Sequence, residues 1–350
     1  MVREVTLRDF RSYAALELAL VPGVVLLHGA NGAGKTNLLE ALHVGTQGFS
    51  PRARRDAQMI RFGTDAARIA LAGERGTNAF ETDTVLTRRD SRTVRLNGER
   101  LDSSERLRHD LTTLVFTPDR LAVVKGAPAT RRAYLDRVVG RLLPARAKAA
   151  GDYSSAVGQR NAALRRIRAG QSTRDALAPW TASVVELGAD LVRARIEAVE
   201  LVASAFAELA DGLGLADALV AYEGAPPTAE ELEGRLDADV ERGVTGAGPH
   251  LHDLRIEADG RDLRVFGSQG EQRIAVLSLV LAEAELLRAR AGVSPLVLLD
   301  DVLSELDGSR RLALAEVIAR NAQTVVTATA EAALPVAATQ SLSVTPGRVQ

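Results

Sequence analysis

The chain of 350 residues contains no cysteine and one tryptophan, and aromatic residues make up only 3% of it. Without cysteine it forms no disulfide bond, offers no thiolate to zinc or iron–sulfur clusters and has no cysteine nucleophile. The shortage of aromatic rings argues against an aromatic-lined nucleic-acid platform such as an RRM. No apolar run approaches the roughly 18–20 residues of a membrane span, and Met1–Val5 show no signal-peptide pattern. These absences predict a cytoplasmic protein with no membrane partner.

Lysine is also scarce, since only Lys35, Lys125 and Lys148 occur among 44 basic residues. Arginine cannot replace a compact ammonium everywhere, so each remaining lysine is informative. The net formal charge of −1 hides an asymmetry, because residues 1–170 carry 29 basic and 17 acidic side chains and residues 171–350 carry 15 and 28. The basic half favours an acidic partner such as nucleic acid, and the alternative is a solvated surface paired with the acidic half.

One glycine-rich segment fits the phosphate-loop pattern G-x-x-x-x-G-K-[ST], and it reads Gly29-Ala30-Asn31-Gly32-Ala33-Gly34-Lys35-Thr36. A short apolar run precedes it, and a segment that favours helix begins at Asn37. In a strand–loop–helix unit of this kind, backbone N–H groups point at phosphate oxygens. We expect this segment and Asn37 to bind ATP, with the Lys35 ammonium bridging the β- and γ-phosphates and the Thr36 hydroxyl on Mg²⁺.

A second apolar run, residues 296–299, ends in two carboxylates, Asp300 and Asp301. The run is continuous rather than alternating, which is typical of a parallel strand covered on both faces. Carboxylates at the end of such a strand lie where α/β sheets place their ligands. Asp300 is predicted to hold Mg²⁺ and Asp301 to orient or deprotonate the attacking water, which makes these two and Lys35 the predicted catalytic set. The alternative for a lone aspartate here is a helix N-cap.

A Ser-x-Gly-x-Gln sequence precedes a third segment, in which apolar residues recur at helical spacing from Ile274 to Leu287. This loop resembles the signature loop of ABC-type ATPases, which contacts the γ-phosphate held by another subunit, and it therefore implies ATP between two protomers. The residues predicted to contact this nucleotide are Ser268, Gln269, Gly270 and Gln272. The alternative is an ordinary helix-capping loop.

Together these motifs resemble those of the bacterial RecF family of ABC/SMC-type ATPases over most of the chain. The strings that carry the resemblance are Leu7–Tyr13, Gly34–Ala41, Val124–Arg132, Gln159–Asn161, Gly248–His250, Asp262–Gly270 and Leu299–Asp307. The sequence departs from the family at Leu251-His252-Asp253, where a basic-acidic continuation is usual, and at Glu271, where glutamine is expected. The resemblance implies an α/β fold, an ABC-type ATPase head of mixed sheet, flanking helices and antiparallel hairpins, with a short helical arm.

The resemblance also implies a function, an ATP- and Mg²⁺-dependent DNA-binding protein of replication, recombinational repair and SOS induction. It would form an ATP-dependent homodimer on single-stranded and gapped double-stranded DNA and promote recombinase loading with RecR and RecO. Its ATPase would be weak, DNA-stimulated and used as a switch. One alternative is the ATP-hydrolysing subunit of a transporter, and the helical arm and the missing switch histidine argue against it. Thr327 or Thr329 is the candidate to take the place of that histidine. Another alternative is an SMC-like tether, against which the short arm argues.

The organisation between the motifs is read from periodicity and turn signals. The predicted parts are the N-terminal part of the head (1–128), the arm (129–243) and the C-terminal part of the head (244–350). Antiparallel hairpins are predicted at Arg68–Ala72, Thr82–Thr87 and Thr93–Leu96, the last followed by an Asn97-Gly98 turn. Residues 130–210 are predicted to be helical, with Trp180 in the core.

Overall fold

The computed structural model describes residues 1–89, 92–292 and 294–350. The described chain divides into two compact units, one of residues 1–121, 212–214 and 276–350 and the other of residues 122–211 and 215–275. The three-part division at residues 128 and 243 stays a prediction. Among the described helices, none combines the length and the apolar character needed to cross a bilayer.

Fifteen strands are described, in three sheets. In chain order they are β1 (Val2–Phe10), β2 (Tyr13–Ala19), β3 (Gly23–His28), β4 (Ala66–Arg75), β5 (Asn78–Thr87), β6 (Thr93–Leu96), β7 (Glu99–Leu101), β8 (Thr113–Phe116), β9 (Leu219–Glu223), β10 (Asp253–Ala258), β11 (Arg261–Asp262), β12 (Leu296–Leu299), β13 (Gln323–Ala328), β14 (Gln340–Thr345) and β15 (Arg348–Val349).

The described α-helices belong to all parts of the chain. They are α1 (Lys35–Gln47), α2 (Glu105–Asp110), α3 (Ala122–Lys125), α4 (Pro128–Leu142), α5 (Ala149–Arg168), α6 (Ala178–Gly212), α7 (Ala229–Gly234), α8 (Leu236–Arg242), α9 (Gln269–Ala291) and α10 (Gly308–Ile318).

The first unit contains an antiparallel sheet in the order β2-β1-β4-β5-β6-β7. Its strands alternate buried and exposed residues, as in β4, where Ala67, Ile69 and Leu71 point into the core. The predicted hairpins are confirmed, because β4 pairs with β5, β5 with β6, and β6 with β7. Asn97 and Gly98 form the last turn, both with positive φ.

The other sheet of this unit has the order β15-β14-β3-β13-β12-β8, and all its pairs are parallel except β14–β15. Every residue of β12 and β13 is buried, which explains the continuous rather than alternating apolar character of β12. Because the strands are parallel, β3, β13 and β12 end at one edge of the sheet. The segments that follow β3 and β12, at residues 29 and 300, are therefore brought to the same edge.

Helix α1 contacts both sheets of the first unit. Its apolar residues, among them Leu38 and Leu42, are fully buried in a core shared with Leu7, Ile69 and Val325. Each such side chain contributes roughly 1.5–3 kcal/mol by leaving water. The mixed sheet, the flanking helices and the hairpins confirm the predicted fold class.

The second unit is built on the long helices α4, α5 and α6 with the small sheet β11-β10-β9. Tyr153 and Val157 of α5 pack with Val184 and Leu191 of α6. The prediction for Trp180 is wrong, since its side chain is 37% exposed. It lies in the first turn of α6, where the preceding Leu177 takes the buried position.

A buried ion pair joins α5 to α8 in the second unit. The Arg160 guanidinium donates to Asp239 Oδ2 at 2.8 Å and to Thr245 Oγ1 at 3.0 Å, and both charged residues are only 1% exposed. The Gly246 N–H donates to the other oxygen of Asp239 at 3.0 Å. Since neither charge reaches water, each depends on the other to offset its desolvation.

Arg160→Met would preserve the apolar stem and leave the Asp239 carboxylate buried without its cation. We expect the free energy of unfolding, measured by urea denaturation, to fall by about 3–5 kcal/mol. The double variant Arg160→Met/Asp239→Leu removes both charges and should recover part of that loss. Equal instability of the single and double variants would show that the unpaired charge is not the cause.

Candidate functional site

The phosphate loop connects β3 to α1, and its backbone is shaped by close packing. Gly34 has φ 118°, and a Cβ at this position would lie 2.9 Å from the Tyr13 hydroxyl oxygen. That hydroxyl donates a hydrogen bond to the Gly34 carbonyl at 3.1 Å. Gly34 is the N-cap of α1 and no side chain caps the helix, so its first-turn N–H groups stay available to an anion.

The Lys35 side chain folds back onto the phosphate loop that precedes it. Its Nζ donates to the carbonyl oxygens of Gly29 at 2.5 Å and Ala30 at 2.9 Å. Burial lowers the pKa of this ammonium, whereas the carboxylates of Asp301 and Asp300 raise it. An ammonium has three N–H donors, so the loop holds the charge in place and leaves one donor for an oxyanion.

Asp300 is the carboxylate that links the two sequence motifs. Its Oδ1 accepts hydrogen bonds from the Thr36 hydroxyl and from the Thr327 hydroxyl, both at 2.9 Å. The residue is 5% exposed. Burial raises its pKa above the usual range, although the two hydroxyl groups and Arg52 act in the opposite direction. Thr36 and Asp300, 264 positions apart, therefore meet at one point of the site.

Asp301 lies in a different environment from its neighbour. It is exposed, its φ is 51°, and its N–H donates to the Thr327 hydroxyl at 2.8 Å. A non-glycine residue with this backbone conformation is uncommon and requires local support, which Thr327 supplies. Thr327, one of the two candidates at the switch position, contacts both aspartates, and the structure gives no such contact to Thr329 among the described residues.

The donor set fits a magnesium ion held jointly with phosphates. Mg²⁺ takes oxygen ligands, and in nucleotide sites it uses one or two carboxylates or hydroxyl groups with the rest from phosphate and water. Thr36 and Asp300 supply such a pair, and the described residues contain no cluster of three or more acidic, histidine or cysteine side chains suited to a metal alone. The arrangement therefore suits a metal that arrives with its nucleotide.

A buried glutamate supports the loop, and sequence reasoning missed it. Glu40 of α1 is 2% exposed and accepts from Arg11 at 2.8 Å through both oxygens, from Arg52 at 2.7 Å and from Ser50 at 2.5 Å. Burial raises its pKa, but the hydrogen bonds from Arg11, Ser50 and Arg52 prevail and hold it below the usual range. The available signal was an acidic residue inside the apolar run 38–42, which must be paired if the run is buried.

The same cluster reaches Asn37, a predicted nucleotide ligand. Arg52 donates to Asn37 Oδ1 at 3.2 Å, and the Asn37 amide donates to the Ser12 hydroxyl at 3.0 Å. Ser12 and Tyr13 belong to the N-terminal string that carried the family resemblance. Their place beside Gly34 and Asn37 shows that this string packs against the phosphate loop.

The predicted signature loop belongs to the second unit, and Ser268, Gln269 and Gly270 are exposed. Ser268 and Glu271 form a capping box, since Glu271 Oε2 accepts from the Ser268 N–H at 2.7 Å and Ser268 Oγ accepts from the Glu271 N–H at 3.2 Å. A capping box accommodates glutamate and glutamine alike, which explains why the departure at Glu271 leaves the loop intact.

Gln272 supports this loop from inside. Its amide nitrogen donates to the carbonyl oxygens of Leu263 at 2.8 Å and Gly267 at 3.1 Å, and the side chain is buried. A direct contact of Gln272 with nucleotide stays a prediction, as do the contacts of Ser268, Gln269 and Gly270.

The second departure, Leu251-His252-Asp253, lies in a polar cluster of the second unit. Asp253 receives two hydrogen bonds of 2.6 Å from Arg131, which lies in the string Val124–Arg132. His252 Nδ1 is 2.8 Å from the Tyr222 hydroxyl, and His250 Nδ1 is 2.7 Å from the Tyr153 hydroxyl. These contacts give the segment a structural role in packing.

Solved structures of two kinds resemble the whole chain. One is described as the structure of the recombination mediator protein RecF-ATP in the RecFOR pathway, with TM-score 0.87, 25% identity, and coverage of 100% of this chain and 96% of that one. The other, an Smc head domain from Pyrococcus furiosus bound to the C-terminal domain of ScpA, has TM-score 0.61, 16% identity, and coverage of 100% and 95%. The second likeness shows the fold alone.

The sequence comparisons agree. Two relatives named DNA replication and repair protein RecF come from Heliobacterium modesticaldum and Anaeromyxobacter dehalogenans strain 2CP-1. The first is 33% identical, covering 94% of this chain and 92% of the relative, and the second is 41% identical, covering 92% and 90%. The family model for the RecF/RecN/SMC N terminal domain matches residues 1–348. The chain therefore belongs to the RecF family of RecF/RecN/SMC-type proteins.

Proposed function

We propose that this chain is an ATP-dependent DNA-binding protein of replication and recombinational repair, in which ATP binding and slow hydrolysis act as a switch. The observation that carries the nucleotide part is the 2.9 Å hydrogen bond between Thr36 and Asp300. It joins the end of the phosphate loop to the acidic strand end, the pairing that a nucleotide with Mg²⁺ requires.

Each residue of the site has a distinct task in this proposal. Mg²⁺, when bound with the nucleotide, neutralises phosphate charge, and Thr36 and Asp300 are the residues that would hold it. Lys35 and the loop N–H groups bind the phosphates. Asp301 is exposed beside Asp300 and orients or deprotonates the attacking water.

A homodimer completes the site in this proposal. Ser268, Gln269 and Gly270 are exposed at the N-terminus of α9, so they are available to a nucleotide held by a second copy. ATP then bridges two protomers and hydrolysis removes the bridge, so that nucleotide state controls a surface for DNA.

The assignment to DNA repair is supported by the relatives' names and by the charge of the chain. The solved RecF-ATP relative is described as a recombination mediator in the RecFOR pathway, and residues 1–170 carry a positive excess that suits a polyanion. We therefore propose gapped DNA as the substrate, RecR and RecO as partners, and recombinase loading and SOS induction as the outcome.

Lys35→Arg tests the nucleotide site. The guanidinium is planar and larger than the ammonium that the Gly29 and Ala30 carbonyls enclose, so we expect the ATP hydrolysis rate to fall at least about tenfold, or ~1.4 kcal/mol in activation free energy. Lys148→Arg makes the same chemical change at an exposed position and should retain the wild-type rate. Wild-type turnover in Lys35→Arg with an unchanged fold would refute the role of Lys35.

Ser268→Arg tests the bridge between protomers. The bulky cation should block closure on the partner's nucleotide while ATP binding by the phosphate loop is retained, so sedimentation with a non-hydrolysable analogue and Mg²⁺ should show a monomer. Wild type, and Ser155→Arg on the exposed face of α5, should both sediment as dimers. If Ser268→Arg still sediments as a dimer, the signature loop does not lie in the dimer interface.

A salt titration tests the DNA part. If the basic half contacts several phosphates, the logarithm of the binding constant for duplex DNA should fall linearly with the logarithm of salt, with a slope of about −0.9 per phosphate. Fluorescence anisotropy with ATP present measures this slope. An affinity that does not change with salt would contradict phosphate recognition.

A further inference from the structure

One aromatic side chain of the first unit is left almost wholly in water. Phe62 is 98% exposed, the most exposed of the large apolar side chains in the described residues. A phenylalanine in water forgoes the stabilisation that burial would bring, although a single exposed apolar residue is in itself ordinary. Phe62 differs from an ordinary exposed apolar residue in the backbone that holds it and in its charged neighbours.

The turn that carries Phe62 is held firmly on both sides. The Arg61 carbonyl accepts from the Thr64 N–H at 3.2 Å and from the Thr64 hydroxyl at 3.0 Å, and the Arg61 N–H donates to the Asp9 carbonyl at 2.7 Å. Gly63 supplies the positive φ, 87°, that the turn needs. The preceding Ile60 is buried in the core. The exposure of the ring is therefore enforced by folded backbone.

The neighbouring hairpin adds a guanidinium to the turn. Arg88 donates to the Thr64 carbonyl at 2.7 Å and to the Arg61 carbonyl at 3.4 Å, and among the described residues no carboxylate lies within the 4.0 Å of an ion pair. Within the described residues, the carbonyl dipoles of Thr64 and Arg61 are thus the groups that offset its positive charge. Its guanidinium therefore lies against the turn that carries the exposed ring.

The segment before the turn is also basic. Residues 51–65 carry four arginines and two aspartates, and one of these aspartates, Asp56, pairs with Arg92 at 2.9 Å. The side chains of Arg54 and Arg55 are exposed, and within the described part of the chain neither guanidinium forms an ion pair. The ring is therefore accompanied by cations that are free to meet a polyanion.

We infer that Phe62 stacks on an unpaired base at the edge of a single-stranded gap, while Arg54, Arg55 and Arg88 hold the adjacent phosphates. Base faces are stacked on one another inside a duplex and become accessible where a strand is unpaired. An aromatic ring therefore favours a gap over a continuous duplex, whereas arginines that bind phosphates do not discriminate between them. This site rests on the proposed DNA-binding function and gives it a means of substrate selection. The exposed flanking residues, Arg61 and Gly63, provide no apolar rim of the kind that surrounds an aromatic anchor in a protein interface.

The test compares Phe62→Ala with wild type on two probes of equal length, a duplex with a single-stranded gap and a continuous duplex, at fixed salt with ATP and Mg²⁺. Stacking predicts about a tenfold loss of affinity for the gapped probe and no change for the continuous one. Phe62→Tyr retains the ring and should bind both probes as wild type does. Arg54→Ala should weaken both probes equally and make the salt slope shallower.

A direct spectroscopic readout is available because Trp180 is the single tryptophan. In a Trp180→Phe background, Phe62→Trp should lose fluorescence when the gapped probe binds and keep it with the continuous probe. Fluorescence unchanged by the gapped probe, or an equal loss of affinity for both probes in Phe62→Ala, would overturn the stacking inference. In that case, if the wild-type protein binds both probes, the proposed DNA-binding function is retained and only the stacking inference is refuted. If the wild-type protein binds neither probe, both the proposed function and the stacking inference are refuted.

Discussion

The site depends on one buried carboxylate that receives two hydroxyl groups. Asp300 accepts from Thr36 and from Thr327 through the same oxygen, and it is buried at the edge where β12, β13 and β3 end. Burial alone would favour its protonated form, and the hydroxyl groups reduce that preference. The contact couples the start of α1 to the end of β12, so the loop and the acidic strand form one site.

Buried or half-buried ion pairs connect three of the family strings to other segments of the chain. Arg11 joins the N-terminal string to Glu40 of α1, Arg131 joins the string Val124–Arg132 to Asp253, and Arg160 joins its own string to Asp239. Each carboxylate accepts more than one hydrogen bond, as a charge removed from water requires. The scarcity of lysine fits this pattern, because a guanidinium can donate to both oxygens of a carboxylate and an ammonium cannot do so with the same geometry.

The two departures from the family pattern affect the structure differently. Glu271 performs the capping that glutamine would also perform, so the start of α9 is unaffected. In the other departure, Leu251 is exposed to solvent, whereas Asp253 pairs with Arg131 at the start of β10. Neither departure lies in the unit that carries the phosphate loop.

The sequence by itself determined the elements whose geometry is local. The glycine spacing from Gly29 to Gly34, the apolar run of β12 and the Asn97-Gly98 turn each specify backbone conformation over a few residues, and each was predicted correctly. The predicted contacts of Lys35, Asp301 and the signature loop with nucleotide stay predictions, because a residue pattern does not by itself identify the ligand that a side chain contacts.

Only the tertiary structure decided which distant groups share a site. The strand order β3-β13-β12 places Thr327 between the phosphate loop and Asp300. The packing of the first unit brings Arg11 and Arg52, from two other segments, to Glu40, and Trp180 at the start of α6 stays partly exposed. Spacing along a chain encodes local dihedral angles and the apolar face of an element. Contacts between residues hundreds of positions apart depend instead on sheet order and register, which no local pattern records.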